Sequence, residues 1–542
     1  MFDFTNTHKA LVAHKEILCD EITPLSVLFA LKAKVLLESA YNETGKDRYS
    51  IMILAEAFRI CKEQGAHWLM YEGKKILLRE ALGAYMNDAA LLQKLKITKG
   101  KKQNAEDYGF LESLAIVRTL APQPQEVDSS DTNSPTYSNV SDLPLDLPLP
   151  LGGAGYIGYE FFAEIENLNF NNPAEYSIPE CGFIFGRDFL VFDHLFDRLH
   201  IVSVGYAYEK EHINPKERVE RIMHDLKNLP RLLQDFAQDT AQDSIKSNKS
   251  ADFMPYTIIK ATSQTEYESM VEDLKKCIYA GDLLQCVPSQ SMQIRSSMPP
   301  LQAYRHLRHQ NPSPYMFYYD FDDFVILGAS PEIMIRLKSQ NESSNFILRP
   351  IAGTRPRGKS VAEDKQLESQ LLSDEKELSE HLMLLDLARN DAGKVSVGGG
   401  VEVVYRNKIE RYSRVMHIVS QVQGELDSKR FAKRDAFKAT FPAGTLSGAP
   451  KIEAIKNIER LESSARGIYG GAIGYFTYNE DMDFAIAIRS AVYQNGVYYV
   501  RSGAGVVQDS IPKSEFIETQ NKVRSQLDMF NIRQGINDDF AH

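Results

Sequence analysis

The sequence predicts an α+β fold built on large antiparallel β-sheets. It mixes a segment of helical periodicity with one of period two, and it shows no regular βαβ alternation. The helical segment is TSQTEYESMVEDLKKCIYAGD, in which Tyr267, Met270, Val271, Leu274 and Ile278 share a face and Gly281 supplies a C-terminal stop. The period-two segment is MDFAIAIRSA. There Phe484, Ile486 and Ile488 take one face of a strand, and Asp483, Ala485, Ala487 and Arg489 take the other. Bulky residues on one side, with small ones and a single arginine on the other, suggest a floor beneath a polar pocket.

With 542 residues, 43% of them hydrophobic, the chain can build a large core. Its length alone suggests roughly two to four compact units. Two stretches read as linkers because they lack the apolar periodicity of a buried element. One is APQPQEVDSSDTNSPTYSNVSDLPLDLPLPLGG (121–153); the other is 228–256, ending QDTAQDSIKSNKSADFMP. They divide the chain into an N-terminal region, 1–227, with a linker inside it at 121–151, and a C-terminal region, 257–530. The balance of 62 basic against 73 acidic residues gives a net charge of −11, which disfavours nucleic acid as a partner. A local pocket can still oppose that sign and accept an anion. Cys19, Cys61, Cys181, Cys277 and Cys286 include no CxxC pair, and their odd number argues against a disulfide framework. A reducing, cytoplasmic setting is the expectation. MFDFTNTHKALVAHK has polar residues where a signal peptide needs an apolar stretch, and no run is apolar enough to span a membrane.

Three constellations could carry chemistry. In SDEKELSEHLMLLDLARND (373–391), a strong helical pattern with Ser373 as its expected N-cap, Glu377 and Glu380 are neighbours on one face. In DSIPKSEFIETQNKVRSQLDMF (509–530), Glu515, Glu518 and Lys522 again share a face. Two helices offering carboxylate pairs could hold a hard divalent cation such as Mg²⁺. Such pairs also decorate solvated helix faces, and spacing alone does not separate the two readings. The third constellation is glycine-rich: YVRSGAGVV, RGIYGGAIGYF and PIAGTRPRG. Glycine lets backbone N–H groups approach an anion closely, although such runs also make tight turns. Arg355, Arg357 and Arg489 could grip carboxylates or lie on the surface. His417 sits in the apolar run VMHIVSQV, where a histidine is more often a satisfied core residue than a catalytic one.

Taken together, these segments resemble the chorismate-utilising enzymes, and among them the anthranilate synthase component I family. The resemblance covers roughly 264–525. It is carried by AGDLLQCVPSQ, NPSPYMFYYDF, GASPEIMIRL, PIAGTRPRG, DEKELSEHLMLLDLARND, VMHIVSQVQGEL, AGTLSGAPK, YGGAIGYF, IAIRSA and SGAGVVQDSIPKSEFIET, in the family's order. It implies a sandwich of antiparallel sheets flanked by helices, with 257–530 as the catalytic region. It also implies that Glu380 and Glu518 bind Mg²⁺, with Glu377 and Glu515 beside them as ligands or through water. Gly353, Thr354, Tyr469, Arg489, Gly503, Ala504 and Gly505 would hold chorismate, and Lys522 would neutralise carboxylate near the metal face. Glu332 would protonate the departing C4 hydroxyl, and His417 and Thr445 would serve the later loss of pyruvate.

Relatives that add water to the ring carry a lysine where this chain has Gln285, and Gln cannot act as a base at neutral pH. Aminodeoxychorismate synthases, the nearest rival within the resemblance, typically read PIKGT where this chain reads PIAGT, so Ala352 offers no nucleophile. Ammonia would then add directly. No cysteine sits in the GxCxG setting of a glutamine amidotransferase, so the resemblance implies a separate glutaminase subunit, component II, and a hetero-oligomer. LLESA (36–40) and NPSPYMF (311–317) resemble the two walls of a feedback site for tryptophan: Leu37, Glu38 and Ser39 opposite Pro314, Tyr315 and Met316. A catalytically silent tryptophan-binding regulator is the rival from another class. Turnover of chorismate by the purified chain separates the two.

Overall fold

The computed structural model of the chain describes residues 2–5, 8–39, 48–98, 108–122, 147–210, 214–234, 256–340, 343–412 and 415–530. Most of the first expected linker and residues 235–255 of the second lie outside these residues. Residues 229–234 of the second are helical, and Leu229 buries itself against the core next to the Pro215–Lys227 helix.

The fold is α+β, and among the described residues every strand pairing is antiparallel. Strands from both halves of the chain enter one continuous hydrogen-bonded network. Val35–Glu38 pairs with Tyr315–Asp320, and Ala154–Ile157 pairs with Ala472–Phe476. Alternation along these strands serves two apolar layers. Val35, Ile53, Phe189, Val191, Phe317, Tyr319 and Ile326 point into the larger cluster. Their neighbours Leu36, Met52, Leu190, Phe192, Met316, Tyr318 and Leu327 point into a second cluster, beneath the Pro24–Leu31, Pro215–Lys227 and Pro300–Gln310 helices. Burial on both faces is why these strands read as nearly unbroken apolar runs rather than as polar and apolar alternation.

A third cluster positions the site. The expected helix forms over Gln264–Ala280, with Ser263 and Glu266 as a capping box and Gly281 at φ 85° closing it. Its Tyr267, Met270, Val271 and Leu274 pack on Cys286, Ala454, Ile458 and Val506. That packing pins the short strand Gln285–Cys286 between Gly448–Ala449 and Val506. Elsewhere the Glu38 carboxylate, fully buried, accepts from Tyr304 Oη at 3.0 Å and from the Arg308 guanidinium at 2.8 Å, which ties the Pro300–Gln310 helix to the first pairing. Among the described residues, no helix is long and apolar enough to cross a membrane.

Candidate active site

The helix Glu375–Gly393 begins one residue later than expected. Asp374 is its N-cap, accepting from the amides of Lys376 and Glu377 at 3.1 and 3.2 Å. Ser373 instead ends the preceding helix, Val361–Leu372, where its hydroxyl donates to Ser369 O at 2.8 Å. Asp374 wins because its carboxylate accepts two otherwise unpaired amides and also faces the positive end of the helix. His381, Leu384 and Leu385 bury the inner side of this helix, and Glu377 and Glu380, a turn or so before them, face the cavity shared with the helix Pro512–Leu527. Glu515, Glu518 and Lys522 of that second helix join them on the wall of one cavity of about 650 Å³.

The carboxylates share this wall but stand apart. Glu377 pairs with Arg355 at 3.2 Å, Glu380 accepts from Gln285 Nε2 at 2.9 Å, and Glu518 pairs with Lys522 at 2.8 Å. Among the described residues, no three His, Cys, Asp or Glu side chains are gathered closely enough to hold a metal ion. Mutual repulsion of like charges accounts for the spread. Burial, then Glu377 and Glu518, push Glu380 up to about 7, and burial also raises Glu515. This surplus of hard oxygen donors fits a divalent cation, which would replace the internal partners.

Inside the mouth lies a chamber of about 210 Å³. Gln285, Glu332, Gly353, Thr354, Glu380, His417, Thr445, Tyr469, Arg489, Gly503, Gly505 and Lys522 line it, so the structure brings together nearly every residue expected to touch substrate. Ala504 is fully buried between its two glycines. Glu332 is 8% exposed and accepts from Thr445 Oγ1 at 2.8 Å. Burial pushes its carboxyl up to about 8, so it is protonated at neutral pH. His417 moves the opposite way, to about 4, because burial disfavours the imidazolium and Arg489 and Lys522 oppose it. Its Nδ1 lies 2.9 Å from Gly353 O, which can only accept, so Nδ1 carries the proton and Nε2 remains a basic acceptor. The chamber thus holds one neutral acid and one neutral base.

The glycines are there for space. Gly353 has φ 65°, and a Cβ on Gly503 would stand 2.7 Å from Pro288 O. Lys522 Nζ donates to Gly503 O at 2.8 Å, locking the glycine run to the second helix. The strand carrying Phe484 is shorter than expected. It ends at Ile486, and Arg489 occupies a left-handed kink at φ 51° rather than a strand face. Both Phe484 and Ala485 are buried, so the pocket floor is formed by the kink.

Arg355 and Arg357 serve structure instead, bonded to Asp374 at 2.7 Å and Asp364 at 2.6 Å. Sequence reasoning missed Arg501, which also lines the chamber and is held by buried Glu462 at 2.8 Å. It missed Arg466, which donates to Leu446 O and Val287 O and so fixes two segments of the chamber wall. The alternation in YVRSGAG placed Arg501 on the same face as Gly503, and that was the available signal.

The two expected tryptophan-binding segments are adjacent strands, with Met316 opposite Glu38. Ser39 is buried at the end of this pairing, and Ala40 lies outside the described residues. Glu38 is engaged by Arg308, and Tyr315 donates to Asp483 at 2.9 Å. Asn311, Pro312 and Ser313, which lead into Pro314, line the outer cavity along with Glu377 and Glu518. The segment that leads into Pro314 therefore adjoins the outer cavity. Burial raises the thiols of Cys61, Cys181 and Cys286, which makes each a poor nucleophile.

The chorismate binding enzyme family matches residues 84–528. Anthranilate synthase component 1 of Spirochaeta aurantia is 36% identical over 93% of this chain and 92% of its own length. That of Neisseria meningitidis serogroup B is 44% identical over 70% of this chain and 75% of its own. The crystal structure of anthranilate synthase component I from Streptococcus pneumoniae superposes with a TM-score of 0.64 at 30% identity, covering 94% of this chain and 98% of that one. With a site of this geometry and relatives of this coverage, the chain belongs to the anthranilate synthase component 1 family of chorismate-binding enzymes.

Proposed function

We propose that the chain converts chorismate and ammonia to anthranilate and pyruvate, opening tryptophan biosynthesis. The observation that carries this reading is Glu332: a buried carboxyl, neutral at neutral pH, at the inner end of a cavity whose mouth is walled by carboxylates. Hydroxide is a poor leaving group, and a positioned proton at C4 removes that obstacle. Arg489, Tyr469, Thr354 and the backbone of Gly353, Gly503, Ala504 and Gly505 hold the substrate and its enolpyruvyl carboxylate. Lys522 offsets negative charge between the substrate and the mouth. Glu380 and Glu518 hold Mg²⁺, with Glu377 and Glu515 beside them. The ion supplies a clamp and Lewis acid for the ring carboxylate.

Gln285 presents an amide where water-adding relatives present a base, so ammonia attacks C2 as the C4 oxygen leaves. His417 then accepts the C2 proton on Nε2 as the C3–O bond breaks, a step that Thr445 also serves; the ring becomes aromatic, and the enolpyruvate released takes a proton at its methylene carbon to become pyruvate. Ammonia comes from a separate glutaminase subunit, component II, in a cytoplasmic hetero-oligomer. Tryptophan binds at the Leu37–Ser39 and Pro314–Met316 segments and favours a less active conformation. The run of Asn311 to Ser313 into the outer cavity wall gives that binding a short route to the site.

The nitrogen source tests the activity. The isolated chain should form anthranilate, identified by fluorescence and mass, from chorismate, ammonium and Mg²⁺, and should fail with glutamine until a glutaminase subunit is added. Unaided glutamine hydrolysis would count against the reading.

Acid catalysis by Glu332 sets a pH limit. The acid must carry its proton, so kcat/KM at fixed free ammonia should fall as pH rises through about 8. Glu332→Gln should remove that limb and about 10²- to 10⁴-fold of the rate. A wild-type profile that stays level above that value contradicts the assignment.

Ser39→Ala tests the regulatory site. Losing one polar partner costs about 1–3 kcal/mol, so tryptophan inhibition should weaken roughly 5- to 150-fold while the KM for chorismate holds. An unshifted inhibition curve removes Ser39 from the site.

A further inference from the structure

We propose that a crevice behind Glu332 is the exit for the water formed during amination. The inference rests on Glu332 being the acid of that step. The crevice has a volume of about 50 Å³. Glu332, Leu384 and Thr445 belong to both its wall and that of the inner chamber, so the two spaces adjoin at Glu332. Lys376, Glu377 and Glu515 border the outer cavity and neither of the other two, which fixes the order as mouth, chamber, crevice. Leu387 and Ala388, on the helix that carries Glu380, and Ala443 are half-buried members of the crevice wall, so it reaches the protein surface.

Size and chemistry restrict what can pass. The volume exceeds the ~10–15 Å³ one water needs and falls far short of a pocket for chorismate. Leu348, Leu384, Leu387, Ala388 and Ile486 make the walls largely apolar, so they offer a departing water no partners that would retain it. The polar groups present are already engaged: Arg349 with Glu410 and Tyr405, Asp391 with Lys394 and Lys451. The crevice is therefore poorly suited to an anion.

Atom balance leaves one water to be cleared. In amination a C–N bond forms at C2 and the C4–O bond breaks. The Glu332 proton joins the leaving oxygen and makes one water. The new ammonium group sheds one proton, which balances the one given, but it does so at another ring position. Each amination thus leaves a carboxylate and one water at Glu332, and the crevice gives that water a way out that does not pass the ring.

Plugging the crevice tests this. Ala388 is half-buried on the helix surface and touches neither substrate nor the proposed metal site, so Ala388→Leu and Ala388→Phe should fold normally. Both should slow amination at least ~10-fold, with the KM values for chorismate and ammonia unchanged. Ala388→Ser should behave as wild type. Loss of pyruvate from the supplied aminated intermediate forms no water at C4, so it should proceed at the wild-type rate in every variant. Undiminished amination in a variant whose structure shows the crevice filled would overturn the proposal. So would equal loss of both half-reactions, which indicates distortion of the site. A wild-type chain that forms no aminated ring fails at the parent assignment, and the exit falls with it.

Discussion

The structure turns on the crowding of negative charge where two helices face each other across a cavity. Glu377 and Glu380 come from one helix, Glu515 and Glu518 from the other, and the apolar side of each helix is committed to the core. The repulsion cannot be relieved by turning a helix away without exposing buried leucines. It is instead absorbed locally, by Arg355 on Glu377, Gln285 on Glu380 and Lys522 on Glu518. Glu380 shows what remains, with its carboxyl displaced to about 7. A surface this costly to assemble is the kind that a bound cation and an anionic substrate resolve together.

The inner end of the cavity works on desolvation rather than crowding. Glu332 and His417 are both held uncharged at neutral pH, one as an acid and one as a base. Two groups pushed apart by their surroundings are how a single chamber can run proton donation and proton removal in turn. The apolar network around Gln285–Cys286 and the buried Glu462–Arg466–Arg501 cluster keep the walls of that chamber fixed. Such rigidity matters because displacements near 1 Å can cost about 10²-fold in rate.

Much of this was legible in the sequence, and the failures are instructive. The helix over Gln264–Ala280 announced itself through its apolar spacing and Gly281, because amphipathic periodicity with a local stop needs no tertiary context. Helical spacing likewise set the Glu pairs on common faces. Spacing could not reveal that each carboxylate finds a partner from a distant segment, since Gln285 and Glu380 meet only in the fold. Extending the period-two pattern through Arg489 failed because the kink there is strained backbone at a non-glycine residue, which pattern carries no trace of. Asp374 and Ser373 are both good caps, and only the geometry of the two successive helices chose between them. Strand alternation could show which face Arg501 takes, but not that Glu462, from a separate segment, holds it there.

The central claim is that the crossing of the two glutamate pairs is a metal-dependent seat for chorismate, and titration of Mg²⁺ against anthranilate formation tests it most directly. With metal stripped by a chelator, the wild-type chain should make no anthranilate from chorismate and ammonium, and added Mg²⁺ should restore it. Glu380→Gln and Glu518→Gln should stay inactive at Mg²⁺ concentrations that saturate wild type, because a neutral amide binds the ion far more weakly. The ionised form of Glu380 is disfavoured in the fold, so stability falls as pH rises from the ordinary carboxylate range to about 7. Glu380→Gln should therefore unfold at no lower temperature than wild type above that pH. Turnover that persists in chelator, or near-normal activity in either variant, would contradict the account.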